Sequence, residues 1–132
     1  MRKHGFLISL LLLPLLLFTN CNNNTNRSIN TISIDTPIDW GVSMAEDTIK
    51  MTTVLRNLGS RDILIDFFAI PCACITVEAE SNVIKQNDST LIHIRFRPQA
   101  GEAGFIVNNI FVHFKNIQEP GHFAISGRIR RR

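Results

Sequence analysis

Hydrophobic and polar residues alternate along most of the chain after Thr31, and a two-residue spacing of this kind predicts β-strands. It is clearest in Ile49–Leu55, in Ile92–Phe96 and in Phe105–Lys115, where we expect one side of each strand to be buried. Beyond Thr31, no stretch of ten or more residues has its apolar positions at helical spacing. The pattern therefore predicts an all-β chain.

Turn-forming residues divide this part of the chain into short segments. Further strands are expected next to such turns, at Thr31–Asp35, Ile63–Phe68 and Phe123–Ile129. In all, about seven strands in about 100 residues are typical of an immunoglobulin-like antiparallel β-sandwich. The nine Phe residues and the single Trp suit a core between two sheets. We predict this fold for residues 31–129.

The first twenty residues have the composition of an export signal. Arg2 and Lys3 precede Phe6–Phe18, a stretch of 13 residues that are almost all apolar. A transmembrane helix needs about 20 residues, so this stretch is too short to span a bilayer. A buried core helix is the alternative, but the stretch has no polar stripe to face solvent. Residues 1–20 are therefore predicted to be a signal peptide.

Cys21 follows this segment directly and precedes an Asn- and Thr-rich stretch, residues 22–28. The order resembles a lipoprotein cleavage site, at which the cysteine becomes the lipidated first residue of the mature protein. Gly, Ala or Ser usually precedes that cysteine, whereas Asn20 stands here. An acyl chain such as palmitate on Cys21 holds a domain on a membrane without a spanning helix. The alternatives are an unlipidated secreted protein and an uncleaved anchor.

These features predict four segments along the chain. Residues 1–20 are the signal peptide, residues 21–30 are a flexible tether that begins at lipidated Cys21, residues 31–129 are the sandwich, and residues 130–132 are a basic tail. The lipid places the domain in the cell envelope, facing the periplasm, on either the inner or the outer membrane. The membrane is thus the first predicted partner.

Positive charge is concentrated at the two ends of the chain. The formal net charge is +3, yet residues 28–127 hold 7 Lys and Arg against 11 Asp and Glu. This central part offers no basic face, and no nucleic-acid partner is predicted. The Arg128–Arg132 cluster is interpreted as a solvated tail, with contact to anionic lipid as the alternative.

The sequence contains none of the common catalytic motifs. It has no Gly-x-Ser-x-Gly, no phosphate-binding loop and no His-Glu-x-x-His. His93 and His113 fall at outward-facing strand positions, where we interpret them as exposed, solvated side chains. Neither an enzymatic activity nor a cofactor is predicted.

Cys72 and Cys74 are the one chemically unusual pair in the predicted domain. Three interpretations stay open: small apolar residues of the core, a disulfide, or ligands of a soft metal ion such as copper(I). On a regular strand the two Cα atoms lie about 6.5–7 Å apart, so a disulfide needs a bulge or a turn. A metal site needs further ligands, for which His93, His113 and His122 are the candidates.

Several short fragments occur in a recognisable order: Asp39–Gly41, Leu55–Gly59, Ile63–Ile65, Cys72–Thr76, Ile92–Phe96 and Ile125–Ile129. Together they resemble the family of bacterial domains of unknown function numbered 1573. Its members are often lipoproteins, and the family is similar to the sandwich domains of major sperm protein and of cilia-associated proteins, which mostly serve as binding modules. The family commonly has Phe where Trp40 stands and Gly where Ala73 stands. The resemblance implies a fold and a location but no reaction.

Two functions follow as hypotheses. The first is a non-catalytic, membrane-tethered module that binds another envelope protein through a sheet edge or an exposed face. The alternative is a thiol-redox or copper-handling protein that uses Cys72 and Cys74. They differ in one property, because only the second needs an exposed, reactive sulfur.

Overall fold

The protein is represented by a computed structural model, which describes residues 32–131. The predicted signal peptide, Cys21 and the tether lie outside the described residues. The nine strands of the described part are β1 Ile32–Ile34, β2 Ile38–Met44, β3 Ile49–Asn57, β4 Ile63–Ala69, β5 Ile75–Ala79, β6 Val83–Ile84, β7 Ser89–Phe96, β8 Gly104–Phe114 and β9 Gly121–Arg130. Residues 32–131 form no helix long and apolar enough to cross a membrane.

The strands form two sheets that pack face to face. One has the order β1-β3-β7-β5 and the other has the order β2-β9-β8-β4-β6. The immunoglobulin-like, all-β sandwich is thereby confirmed, with nine strands in place of about seven. One strand pair differs from the antiparallel expectation: β2 runs parallel to β9. The reason is that a turn at Asp35–Pro37 carries the chain from β1, in one sheet, to β2, in the other.

The core consists of the inward-facing residues of both sheets. Within Ile92–Phe96 the apolar residues are buried, and on β8 the same holds for Ile110, Val112 and Phe114, as the alternation predicts. These side chains belong to one cluster, which comprises Ile38, Ile49, Leu55, Ile63, Ile65, Ile75, Ile84, Ile92, Ile94, Phe96, Ile110, Val112, Phe114, Phe123, Ile125 and Ile129. Its burial is the main source of stability.

A fully buried asparagine fastens one end of the sandwich. The side-chain amide of Asn57 donates to the carbonyl oxygens of Arg61, Ile84 and Lys85 at 2.8–3.0 Å. Its side-chain oxygen accepts a hydrogen bond from the backbone N–H of Gly59. A buried amide is stable only when its polar atoms have partners, and here the partners come from the segments before β4 and around β6.

The last strand includes two of the C-terminal arginines. β9 continues through Arg130, and Arg128 and Arg130 pair with residues of β2. Arg131 donates from Nη2 to the carbonyl oxygen of Gly101 at 2.8 Å. The side chains of Arg128, Arg130 and Arg131 are exposed, as a solvated cluster requires, but the backbone of Arg128 and Arg130 belongs to the sheet and not to a tail.

Candidate interaction surface

The outer faces of the two sheets differ in chemistry. Ten large hydrophobic side chains are exposed in the described part of the chain, and eight of them belong to the five-stranded sheet or to the residue that follows β4. We call this set the outer apolar face; its members are Val42, Leu64, Phe67, Ile70, Val83, Phe105, Val107 and Phe111. Of the other two, Leu58 lies in a loop and Leu91 on β7. Only one side of the sandwich therefore presents an apolar surface.

Aromatic contacts run across the outer apolar face. The ring of Phe67 on β4 stacks on the imidazole of His113 on β8, with centroids 4.4 Å apart and planes 8° from parallel. Phe111 and His122, which are register partners on β8 and β9, have centroids 6.0 Å apart. Flat rings held in this way offer a partner a large contact area at a small cost in side-chain entropy.

The outer face of the four-stranded sheet carries charged side chains instead. His93 Nε2 lies 2.9 Å from Glu80 Oε1, and its Nδ1 lies 3.4 Å from the hydroxyl of Thr52. Arg95 and Glu78 form an ion pair at 3.5 Å. A surface of paired charges is well hydrated, and covering it would cost the solvation of each group. This face is therefore the poorer candidate for a protein interface.

Half of β8 lacks a neighbour on the side of β4. The last register pair between these strands is Ala69 with Phe111, whereas β8 continues along β9 to Gly104. The backbone N–H of Lys115 donates to β4, so the odd-numbered residues of β8 direct their N–H and C=O groups to that side. Within residues 32–131, no strand pairs with these groups at Phe105, Val107 and Asn109. We call these three residues the open edge of β8.

The chain leaves β4 through a short turn that the two cysteines close. Pro71 has no N–H for a sheet hydrogen bond and follows β4 by two residues. Cys72 and Cys74 form a disulfide with their Cα atoms 5.2 Å apart. The carbonyl oxygen of Cys74 then accepts a hydrogen bond from the N–H of Arg97 at 2.9 Å, where β5 joins the other sheet. The turn thus ends β4 early and leaves the edge of β8 uncovered.

Among the three interpretations of Cys72 and Cys74, the structure shows the disulfide. The condition stated for a disulfide is met, because the residues lie in a turn, and a Cα separation of 5.2 Å falls within the usual disulfide range. Both cysteines are half-buried and pack against the edge of the core. The interpretation as free core thiols is therefore wrong.

The histidines proposed as further metal ligands do not join the cysteines. His93 lies on the four-stranded sheet, whereas His113 and His122 lie on the other sheet. Residues 32–131 contain no group of three or more His, Cys, Asp and Glu side chains placed to hold a metal ion. His93 and His113 face outward, as predicted. The His93 side chain is 43% exposed and bonds to Glu80, whereas His113 is half-buried against the ring of Phe67.

A shallow depression marks the place where β4 ends beside β8. It has a volume of about 390 Å³ and is lined by Ala69, Ile70, Pro71, Val107, Asn108, Asn109 and Phe111. One indication of it was present in the sequence: Phe105, Ile106 and Val107 are apolar at outward and inward positions alike. A strand that is apolar on both faces either lies between two layers or has a partner.

The model of a protein family described as HYDIN/CFA65/VesB-like, Ig-like domain matches residues 30–128. Among curated proteins, none matches the chain. The family match covers the sandwich from β1 to Arg128 of β9, including the outer apolar face and the disulfide turn.

Solved structures share this fold at low sequence identity. A Porphyromonas gingivalis protein of unknown function has a TM-score of 0.65 at 20% identity; the match covers 74% of this chain and 46% of that one. The human CEP192 ASH/PapD-like domain 7 has a TM-score of 0.60 at 13% identity; the match covers 78% of this chain and 87% of that one. A Caenorhabditis elegans member of the MSP family, WR4, has a TM-score of 0.51 at 12% identity; the match covers 76% of this chain and 98% of that one. These similarities show the fold alone, and the chain spans less than half of the Porphyromonas protein.

Proposed function

We propose that this chain, which belongs to the HYDIN/CFA65/VesB-like Ig-like domain family, is a non-catalytic module that binds another protein of the cell envelope through its outer apolar face. The observation that carries the proposal is the placement of seven of the ten exposed large hydrophobic side chains on one sheet, with an eighth, Ile70, directly after β4. Scattered exposed hydrophobic residues are ordinary, but a set that shares one face is typical of an interface.

The outer apolar face offers enough energy for a protein interface. Phe105, Val107 and Phe111 are 41–63% exposed, so each has a large remaining area to bury. Removing half of such a side chain from water contributes roughly 1 kcal/mol. Several such contacts, together with the rigid rings of Phe67 and Phe111, support binding of another folded protein or peptide.

A non-catalytic role is consistent with where the polar groups lie. His93 is engaged by Glu80 on an outer sheet surface, and His113 and His122 lie against aromatic rings. General acid–base chemistry needs such groups to converge on a substrate. The fold alone decides nothing about catalysis, so this part of the proposal rests on the placement of the side chains.

We further propose that the mature protein is a lipoprotein of the envelope, anchored through Cys21, and a member of the domain family numbered 1573. The support is the sequence order of Arg2 and Lys3, the apolar stretch and the cysteine. Palmitate labelling in cells tests the anchor. We expect labelled protein in the membrane fraction, and a Cys21→Ser variant that is unlabelled and released; equal labelling of both would overturn the anchor.

Binding through the outer apolar face is tested with two matched substitutions. Phe111 and Leu91 are similarly exposed, at 41% and 36%, but they lie on opposite sheets. Full-length protein is cross-linked in cells and its complexes are separated by size. We expect Phe111→Ser to remove the cross-linked complex and Leu91→Ser to retain it. Equal retention in both variants would overturn the proposal, provided that both remain folded.

The disulfide gives a second candidate function, a thiol-redox or copper(I)-binding role. Cys74 lines a depression of about 350 Å³ together with Arg95 and Arg97. Cationic side chains nearby favour the thiolate form, which is the reactive one. A dithiol donor would transfer two electrons to the disulfide, giving two thiols here and a disulfide on the donor. Reduction of the folded domain by a dithiol within minutes, followed by copper(I) uptake, would favour this function, whereas resistance until unfolding would exclude it.

A further inference from the structure

We infer that the open edge of β8 binds an extended segment of the partner protein as an added β-strand, with apolar side chains facing outward and a carboxylate near its C-terminal end. The inference rests on the proposed function, because it specifies how the partner is held. Three features of the molecule support it: the backbone of β8, the side chains beside it and the charges at one end.

The open edge leaves backbone groups without sheet partners. Phe105, Val107 and Asn109 each direct one N–H and one C=O away from β9, and no strand within residues 32–131 accepts them. Water satisfies such groups in the free protein, but a strand can replace the water with hydrogen bonds of regular geometry. Strand addition then supplies affinity that does not depend on the side chains of the added segment.

There is room for such a strand in line with β4. The chain turns away after Ile70, and the depression beside Val107 and Asn109 lies where β4 would have continued. From Gly104 to Ile110 the strand spans about 20 Å at roughly 3.3 Å per residue. An added segment of six or seven residues, running in the direction of β4 and therefore antiparallel to β8, fits this length.

The side chains along the open edge indicate what the segment carries. Phe105 and Val107 are exposed on the outer face, while Ile106 is half-buried and packs against the core. In an antiparallel pair, side chains of facing residues lie on the same side of the sheet. The outward side chains of the segment therefore contact Phe105 and Val107, and they are stabilised when they are apolar. The inward ones cover Ile106.

The charge at one end of the open edge is positive. Arg128 is the register partner of Phe105 on β9 and is exposed, and Arg131 lies against Gly101. Glu102, an acidic residue nearby, accepts a hydrogen bond from the backbone N–H of Gln99. An antiparallel segment reaches this end with its C-terminal residues. A carboxylate there complements Arg128, which fixes the direction of the segment.

A second copy of this chain is a poorer occupant than a separate segment. Two copies that paired their open edges symmetrically about Val107 would place Phe105 of one opposite Asn109 of the other. The partner's β4 lies along the same edge and ends opposite Phe111. In that register the partner's Ala69 would fall on the position of Ala103, so the residues that lead into β8 would collide with the end of the partner's β4.

Amide hydrogen exchange by NMR tests this inference on the oxidised protein. The probe is a blocked octapeptide in which valine and threonine alternate before two C-terminal glutamates. Its control has the same sequence with alternate backbone nitrogens methylated, so that it cannot pair as a strand. In the free protein we expect fast exchange at Phe105, Val107 and Asn109 and slow exchange at Ile106 and Asn108. The probe should slow the first three amides at least tenfold, and the methylated control should not.

One variant and one altered probe separate the contribution of the charge from that of the backbone hydrogen bonds. Arg128→Ala should weaken the binding of the probe about twofold to fivefold, the range of an exposed ion pair. It should not weaken the binding of a probe that ends in glutamine.

No protection of the three amides by the probe at millimolar concentration, or equal protection by the methylated control, would overturn strand addition. If Phe111→Ser still removes the complex in cells, the proposed function survives that result; if it does not, the proposed function itself fails.

Discussion

The indole ring of Trp40 occupies the space that a side chain at Gly127 would need. These residues lie on the parallel strands β2 and β9, and a Cβ built on Gly127 would overlap the indole nitrogen and the ring carbons beside it. On its other side Trp40 packs against Phe96, with ring centroids 5.2 Å apart. Gly127 is therefore required by close packing, and its position allows a wide aromatic ring to cover the core.

This contact predicts the effect of a single methyl group. Gly127→Ala should lower the free energy of unfolding by about 1–3 kcal/mol, because the indole must move out of its site. Urea unfolding of the single variants and of the Gly127→Ala/Trp40→Phe double variant measures it. The smaller ring should recover part of the loss. An additive double variant would show that the indole is not what Gly127 accommodates.

A second prediction concerns Trp40 alone. Its Nε1 is buried and has no hydrogen-bond acceptor within residues 32–131. Trp40→Phe removes that unsatisfied donor but also removes apolar contact area, and these effects oppose each other. We expect a change in stability within about 1 kcal/mol, measured in the same unfolding series. A loss above about 3 kcal/mol would mean that the indole nitrogen has a partner.

Asn57 should be among the polar residues that matter most for stability. Asn57→Ala removes a buried amide and leaves the carbonyl oxygens of Ile84 and Lys85 without its hydrogen bonds, so we expect a loss of about 2–4 kcal/mol. Asn82→Ala is the matched control, because Asn82 is exposed, and it should change stability by less than about 0.5 kcal/mol. Similar losses in the two variants would contradict the role given to Asn57.

The disulfide should contribute modestly to stability. A bridge between Cys72 and Cys74 closes a very short loop, for which the entropic model gives about 1.5 kcal/mol. The Cys72→Ser/Cys74→Ser variant should therefore remain folded, with its free energy of unfolding, measured by urea, lowered by about 1.5 kcal/mol. Mass spectrometry after alkylation verifies that Cys72 and Cys74 are oxidised in the protein before it is unfolded. Labelling of both cysteines in native, unreduced protein would contradict the disulfide.

One exposed ion pair gives a pH dependence. The Lys85 ammonium donates to Asp62 at 2.9 Å and lowers the pKa of that carboxyl, an effect that partial desolvation opposes and the N–H of Gln86 supports. A lowered pKa in the folded state means that the contribution is present above the unfolded pKa, about 3.9, and is lost as the pH falls through the folded value.

The measurement is the urea midpoint between about pH 6 and pH 2 for the natural protein and for Asp62→Asn. We expect the variant to be less stable at pH 6 and the difference to shrink as the pH falls, because protonated Asp62 no longer pairs with Lys85. A difference that stays constant through this range would show that the charge of Asp62 contributes nothing.

Alternation predicted the core strands because it depends on local chemistry. Ile92, Ile94 and Phe96 had to face inward whatever the topology, and they do. The parallel pairing of β2 with β9 depends instead on a change of sheet at Pro37, which alternation does not register. The disulfide stayed one of three interpretations for a similar reason: it needs a turn, and the spacing of Cys72 and Cys74 does not show whether they lie on a strand or in a turn.

The candidate surface was predictable only in part. A sheet edge or exposed face was expected to bind a partner, but its position depends on where β4 ends relative to β8. β4 and β8 are far apart in the sequence, and the register in which they pair is seen only in the folded structure. The apolar outward positions Phe105, Val107 and Phe111 were visible in the sequence, yet only the structure shows that no layer covers them within residues 32–131.

The central claim is that a partner binds the outer apolar face, and site-specific photo-cross-linking in cells tests it most directly. A photoreactive amino acid is placed at Val107 in one strain and at Leu91, on the opposite sheet, in another. We expect a discrete cross-linked product from Val107 that is lost when Phe111→Ser is added, and no product from Leu91. Products of equal yield from both positions, or none from Val107, would contradict the claim.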